Sequence, residues 1–164
     1  MKRSTRQYLW LSVGIVALLV ATIWQWRQDR AQATGTLLTL EPSSVSSVAL
    51  AIGKGDTEHF ALRSGHWWRI DGTPARADDG RLSELADTAG AAVLSWRPLH
   101  DFDPAKIGLS KPVAVLTLDG QRLEFGETSV TGPQRYVRVG DRVALISVRY
   151  TPRGATGDAT VVKQ

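Results

Sequence analysis

The side chains able to do acid–base, metal or nucleophilic chemistry are few and scattered. The three histidines, His59, His66 and His100, lie 7 and 34 residues apart, which matches neither an HExxH pattern nor a paired zinc-ligand spacing. His59 falls on the polar side of an expected strand, His66 in a turn and His100 in a loop, so all three read as surface histidines. Asp78-Asp79 stands just before an apolar-periodic stretch. There it suits an N-cap and the positive end of a helix dipole better than catalysis or metal binding. Asp101 and Asp103 flank Phe102, but two loop carboxylates make neither a calcium loop nor a glycosidase pair. Gly53-Lys54-Gly55-Asp56 lacks the frame and the following Ser/Thr of a phosphate loop and reads as a hairpin turn. No G-x-S-x-G, S-x-x-K or G-x-G-x-x-G pattern occurs. There is no cysteine, which excludes disulfides, Cys-zinc sites and thiol catalysis. The sequence predicts no catalytic residue, no metal ligand and no cofactor, and a role other than an enzyme's.

What remains is recognition by aromatic and cationic side chains. Trp67, Arg69, Arg135, Tyr136 and Arg138 form the candidate interaction surface. Trp67, Trp68 and Trp96 are the alternative, as rings lining a site for a small molecule, glycan or lipid, which needs a concave pocket.

The elements that position these residues begin with Tyr8–Trp26, a run without a charged residue. At 1.5 Å per residue it reaches about 28 Å, enough for a bilayer core of roughly 30 Å. Tyr8, Trp10, Trp24 and Trp26 stand at its two ends, where amphipathic rings favour the headgroup level. Lys2, Arg3 and Arg6 precede the run, whereas Arg27 and Arg30 behind it are partly offset by Asp29. The positive-inside bias therefore predicts a single-pass inner-membrane protein with a cytoplasmic N-terminus and a periplasmic domain. Ala31-Gln32-Ala33 resembles a cleavage motif and leaves a cleaved signal peptide as the rival. The run is longer than a usual signal core, and Arg27, Asp29 and Arg30 separate it from that motif.

The formal charge of +4 resides in residues 1–33. From Thr34 onward there are 15 basic and 15 acidic residues, so the domain is formally neutral. Residues 34–104 carry −4 and residues 105–164 carry +4, read as a solvated mixed surface. With no arginine-rich run, no nucleic-acid partner is expected.

Residues 34–44 read as a linker. Val45–Ile52 and Glu58–Arg63 are β-prone. A three-residue loop, Ser64-Gly65-His66, would pair Leu62 with Trp68 and Phe60 with Ile70, joining their apolar faces. Trp67 would then point away from that core beside Arg69, covering a second layer or standing exposed. From Asp78 an amphipathic helix is expected, with Leu82, Leu85, Ala86, Ala89 and Val93 at helical spacing and fraying before Ser95. Trp96–Ser110 reads as a connector, with one helical turn at Asp103-Pro104-Ala105-Lys106. Val113–Leu118, an Asp119-Gly120 turn and Gln121–Phe125 make a hairpin. Tyr136–Val139, a Gly140-Asp141 turn and Arg142–Val148 make another. Residues 149–164 read as a loose tail in which Ala159–Val162 could add an edge strand. The domain, residues 45–148, is therefore α+β: mostly antiparallel hairpins with one amphipathic helix packed on the sheet, behind an N-terminal transmembrane helix.

The phrase Ile107-Gly-Leu-Ser-Lys-Pro-Val-Ala-Val-Leu-Thr-Leu-Asp-Gly-Gln-Arg-Leu-Glu-Phe-Gly-Glu127 resembles the family known as domain of unknown function 4340. There a GL-x-x-P phrase leads a strand, a DG turn and a strand ending in FG. Arg135-Tyr-Val-Arg138 resembles that family's next strand. Trp67-Trp68 with Pro74, Ala77-Asp78 and Leu82 resembles its hairpin-to-helix segment. The likeness runs from about Leu37 to Ser147 and covers one copy of the unit, and its motifs are turns and strand starts. It implies a membrane-anchored extracytoplasmic domain, with no catalytic residue carried over. Members can accompany gliding-motility-type ABC transporter auxiliary proteins. The expected partners are the membrane and another envelope protein, with a transporter subunit among the candidates.

Overall fold

The computed structural model describes residues 35–153. The expected span Tyr8–Trp26, with Tyr8, Trp10, Trp24 and Trp26, lies outside the described residues. So does the possible edge strand at Ala159–Val162. Among the described residues no helix is long and apolar enough to cross a membrane.

Alternating apolar residues and tight turns build a first meander: β1 (Ser47–Ile52), β2 (Glu58–Arg63), β3 (His66–Arg69) and the two-residue β4 (Ala75–Arg76). A helix α1 (Asp79–Asp87) and a 3-10 turn (Thr88–Gly90) lead to β5 (Val93–Pro98). A second meander comes next: β6 (Ala114–Leu118), β7 (Gln121–Thr128), β8 (Gln134–Val139) and β9 (Arg142–Ser147). All nine strands join one sheet in the order β4-β3-β2-β1-β6-β7-β8-β9-β5, and every pairing is antiparallel. The mostly antiparallel α+β expectation for the domain holds.

This order dictates the two crossings. From β4 at one edge the chain must reach β5 at the other, and it does so through α1 on one face. From β5 it must return to β6 inside the sheet, and residues 99–113 make that return on the opposite face. The helix face carries the main core: Val48 and Leu50 of β1, Phe60, Trp67, Leu116, Leu118, Leu123, Phe125, Val137 and Ile146, covered by Leu82, Leu85 and Ala86 of α1. Each large apolar side chain buried here contributes about 1.5–3 kcal/mol. On the return face a smaller cluster joins Ile107 and Leu109 to Val143, with Leu99, Phe102 and Tyr136 beside it.

Several expectations are corrected. The β2–β3 loop has two residues, not three: Leu62 pairs with Trp67 and Phe60 with Arg69. Ser64 and Gly65 take φ of 50° and 79°, the double positive φ of a type I′ turn, whose twist matches the flanking strands. Trp67 thus shares the face of Phe60 and is buried at 4 % exposure, whereas Ile70 stands 41 % exposed. The expected linker, described from residue 35 to 44, is not free: Leu37 and Leu38 are buried, and their N–H groups donate to Ala91 and Ala89 carbonyls at 2.9 Å. The helix ends at Asp87, and Val93 opens a strand instead of closing a helix. Trp96, read as connector, lies in β5 opposite Ala144. The turn expected at Asp103–Lys106 is present, with Lys106 N–H donating to the Asp103 carbonyl at 3.0 Å. At the other end Tyr150 packs on the core and Pro152 is buried, so the tail is fixed at least through these residues.

Candidate functional site

Three local arrangements hold the residues singled out from the sequence. The first lies at the free edge of β3. The short β4 pairs only with Trp68 and Arg69, which leaves the backbone of Trp67 without a strand partner on that side. Ala77 N–H donates to the Trp67 carbonyl at 2.9 Å, and the Trp67 N–H donates to Asp79 Oδ1 at 2.7 Å. Asp79 Oδ2 lies 2.9 Å from His66 Nδ1 and accepts from Arg76 Nη2 at 2.9 Å. The Trp67 N–H above all, then His66 and Arg76, hold the Asp79 carboxyl down at about 2. Its neighbour Asp78 is the N-cap, accepting from Arg81 N–H. The acidic pair therefore caps a helix and closes a sheet edge, and Trp67 is a core side chain, not a surface one.

The second arrangement surrounds Arg135. β7 bulges between Phe125 and Thr128 opposite β8. Arg135 Nη1 donates to the Gly126 carbonyl at 2.6 Å and Nη2 to Thr128 Oγ1 at 3.1 Å. Partial burial pulls its pKa down, against the pull of the Glu127 carboxylate. Arg135 is thus used internally, as a clamp on the bulge. On the return side of the same bulge, Glu127 N–H donates to the Ile107 carbonyl at 2.8 Å. A Cβ on Gly126 would overlap that carbonyl oxygen, and one on Gly108 would lie 2.7 Å from Glu127 N. The GL and FG phrases therefore meet at their two glycines, and only glycine lets the backbones approach so closely.

The third arrangement is the return face itself. Residues 99–113 cover it over β7–β9 only. Tyr136 packs there against Phe102, with ring centroids 5.8 Å apart. Over β1, β2, β3 and β6 the face carries the partly exposed Ala49, Ala51, Ala61, Trp68, Val115 and Thr117, interleaved with the exposed Ser47, His59, Arg63 and His66. These stand opposite one another in register: Ala49 with Thr117, Ala51 with Val115, Ala61 with Trp68. Polar and charged groups stand within the patch and beside it, His59 directly opposite Ala49. On one side His59 Nδ1 meets Asp71 at 2.8 Å, and the His59 N–H and side chain keep the Asp71 carboxyl low. On the other, Glu124 bridges Arg122 at 2.9 Å and Arg138 at 3.4 Å.

No family model, curated protein or solved structure matches the chain. Its own geometry is therefore the basis for any functional reading. Among the described residues no group of three or more His, Asp and Glu side chains is placed to hold a metal ion.

The expected interaction residues do not form one surface. Trp67 and Arg69 are five strand positions from β8, roughly 24 Å at the spacing of neighbouring strands. Arg69 lies on the helix face 3.8 Å from Glu58, whereas Tyr136 and Arg138 lie on the return face. The tryptophans are equally dispersed: Trp67 is in the core, Trp68 on the open patch, and Trp96 at the far edge beneath the Arg142 guanidinium, 4.5 Å from its ring. Trp68, expected to face the core, is the ring that the open patch uses. The alternation of Ala49, Ala51 and Val115 is a readable signal for that patch, but nothing local says which face stays uncovered.

Proposed function

We propose that this chain is a single-pass membrane accessory protein whose extracytoplasmic domain docks another envelope protein, a transporter subunit among the candidates, on the open face of β1, β2, β3 and β6. The observation that carries the reading is that face: small residues and the Trp68 ring, with the polar Ser47 and His59 among them and the Glu124 ion pairs beside them, a mixed surface of the kind that docks a partner. The anchor reading rests on Tyr8–Trp26 and the flanking charges. Membership of the domain of unknown function 4340 family is part of the proposal, supported by the contact between the Gly108 and Gly126 segments of the shared phrase.

The test uses the full chain in native membranes with a photo-crosslinking residue at Trp68, at Thr117, or at Ser83 of α1 as control. The expected result is the same single membrane partner from Trp68 and Thr117, none from Ser83, and loss of both adducts on Ala61→Arg. Identical adducts from Ser83, or adducts insensitive to Ala61→Arg, would overturn the docking face. For the anchor, the full-length chain is expected to resist alkali extraction and to lose its domain to protease added to spheroplasts. A shortened soluble product beginning near Thr34 would refute it.

A further inference from the structure

A second site stands on the helix side of the sheet. α1 and the chain from Arg149 to Arg153 enclose a hollow of about 250 Å³. Three arginines line it, Arg81, Arg149 and Arg153, with one acidic residue, Glu84. Among the described residues none of these four side chains is in a salt bridge, whereas five arginine–carboxylate pairs form elsewhere. Two donors of the lining, Arg81 Nε and Thr151 Oγ1, are buried with no hydrogen-bond partner among the described residues. Arg149 is oriented by Tyr150, donating to its hydroxyl at 2.6 Å with the guanidinium carbon 4.6 Å over the ring.

Arg81 also sits in the first turn of α1, where a cation opposes the helix dipole. Helix stability therefore does not account for an arginine there. Desolvated donors without partners are unfavourable, and three like charges converging on one hollow repel one another. An anion relieves both at once. Guanidinium forks, weakly hydrated and planar, match the oxygens of phosphate two at a time. Leu85 and Pro152, both buried, give the same hollow an apolar wall.

We infer that the hollow between α1 and Arg149–Arg153 binds a phosphate group, held by Arg81, Arg149 and Arg153 with Thr151 as a neutral donor. The source is either a soluble phosphate or the phosphodiester of a lipid headgroup. This site is on the opposite face from the docking patch and does not depend on it.

The test titrates full-length protein in neutral detergent by calorimetry, at constant ionic strength, with inorganic phosphate, glycerophosphoglycerol (a water-soluble phosphodiester headgroup) or acetate. Saturable binding of either phosphorus ligand is expected. Diester binding assigns a lipid headgroup, and inorganic phosphate binding without the diester assigns a soluble phosphate. Arg149→Gln and Arg153→Gln are each expected to weaken binding about tenfold, the loss of one charge-assisted contact. Both residues are exposed, and unchanged thermal melts without ligand confirm that the variants fold. Arg63→Gln, at an exposed arginine ending β2, is expected to leave affinity unchanged. No saturable phosphorus binding, acetate binding of equal strength, or equal weakening by Arg63→Gln would overturn the site.

Discussion

Gly126→Ala tests the docking of the return segment on β7 most directly. The new Cβ would overlap the Ile107 carbonyl oxygen and approach Leu109 Cδ2 to 3.2 Å. The first neighbour is backbone and cannot rotate away. Relief requires moving the segment that carries Ile107 and Leu109, both buried. Moving it breaks the Glu127–Ile107 hydrogen bond of 2.8 Å, worth about 0.5–1.5 kcal/mol net, and forces a shift of the kind that costs about 1–3 kcal/mol in overpacked cores. The expected destabilisation is therefore about 1.5–4.5 kcal/mol, or a melting temperature lower by about 6–18 °C at roughly 4 °C per kcal/mol for a domain of this size. The assay is reversible thermal unfolding of the full-length chain in neutral detergent, followed by far-ultraviolet circular dichroism. Gly132→Ala, whose Cβ would meet only the Gln134 side chain at 3.9 Å, is the control and is expected to stay within about 0.5 kcal/mol. Amide exchange adds a local readout, since the Glu127 N–H should lose protection. If Gly126→Ala melts together with Gly132→Ala, the close approach imposes no constraint and the reasoning fails.

The β3 edge gives two further expected outcomes. The Asp79 carboxyl is lowered to about 2 from 3.8, so its contribution to stability is fully present above pH about 4 and is lost as pH falls toward 2. Asp79→Asn is therefore expected to be less stable than the parent at neutral pH, with the difference shrinking across that window in urea titrations; a gap that is constant with pH would refute this account. Trp67→Ala is expected to cost about 3–5 kcal/mol in the same unfolding assay, as for a buried aromatic, whereas a loss within about 0.5 kcal/mol would return Trp67 to the surface.

Much of the local structure was legible because its causes are local. Ala114, Leu116 and Leu118 alternate to one face, and Asp119-Gly120 places φ of 44° and 83° in a two-residue turn. Here Asp119 adds something less visible. Its carboxylate accepts from the Ser47 N–H at 2.7 Å and the Ser46 N–H at 3.1 Å, across to β1. Partial burial pushes its pKa up, but those two N–H groups and the serine hydroxyls outweigh it and hold it low. The 82, 85 and 86 positions of α1 were equally readable, one apolar stripe at helical spacing.

β5 was not legible, because its register shifts between Val93 and Ser95 and the shift erases the alternation that marks a strand. β4 is two residues long and carries no pattern at all. The β2–β3 register failed for a different reason. Pairing Leu62 with Trp68 maximises apolar contact within the hairpin, but α1 covers Phe60 and Trp67 while leaving Leu62 37 % exposed, so the turn geometry of Ser64-Gly65 prevails.

The sequence by itself determined the uncharged run Tyr8–Trp26, the neutrality of the domain behind it, the antiparallel hairpins and the single amphipathic helix. These depend on composition and on neighbours a few residues apart. Only the tertiary structure decided that β1 lies beside β6, that Trp67 is inside and Trp68 outside, that among the described residues one half of a face has no covering segment, and that Arg81, Arg149 and Arg153 line one hollow. Each of these is a pairing between distant segments, and it is set by which crossing covers which face of the sheet.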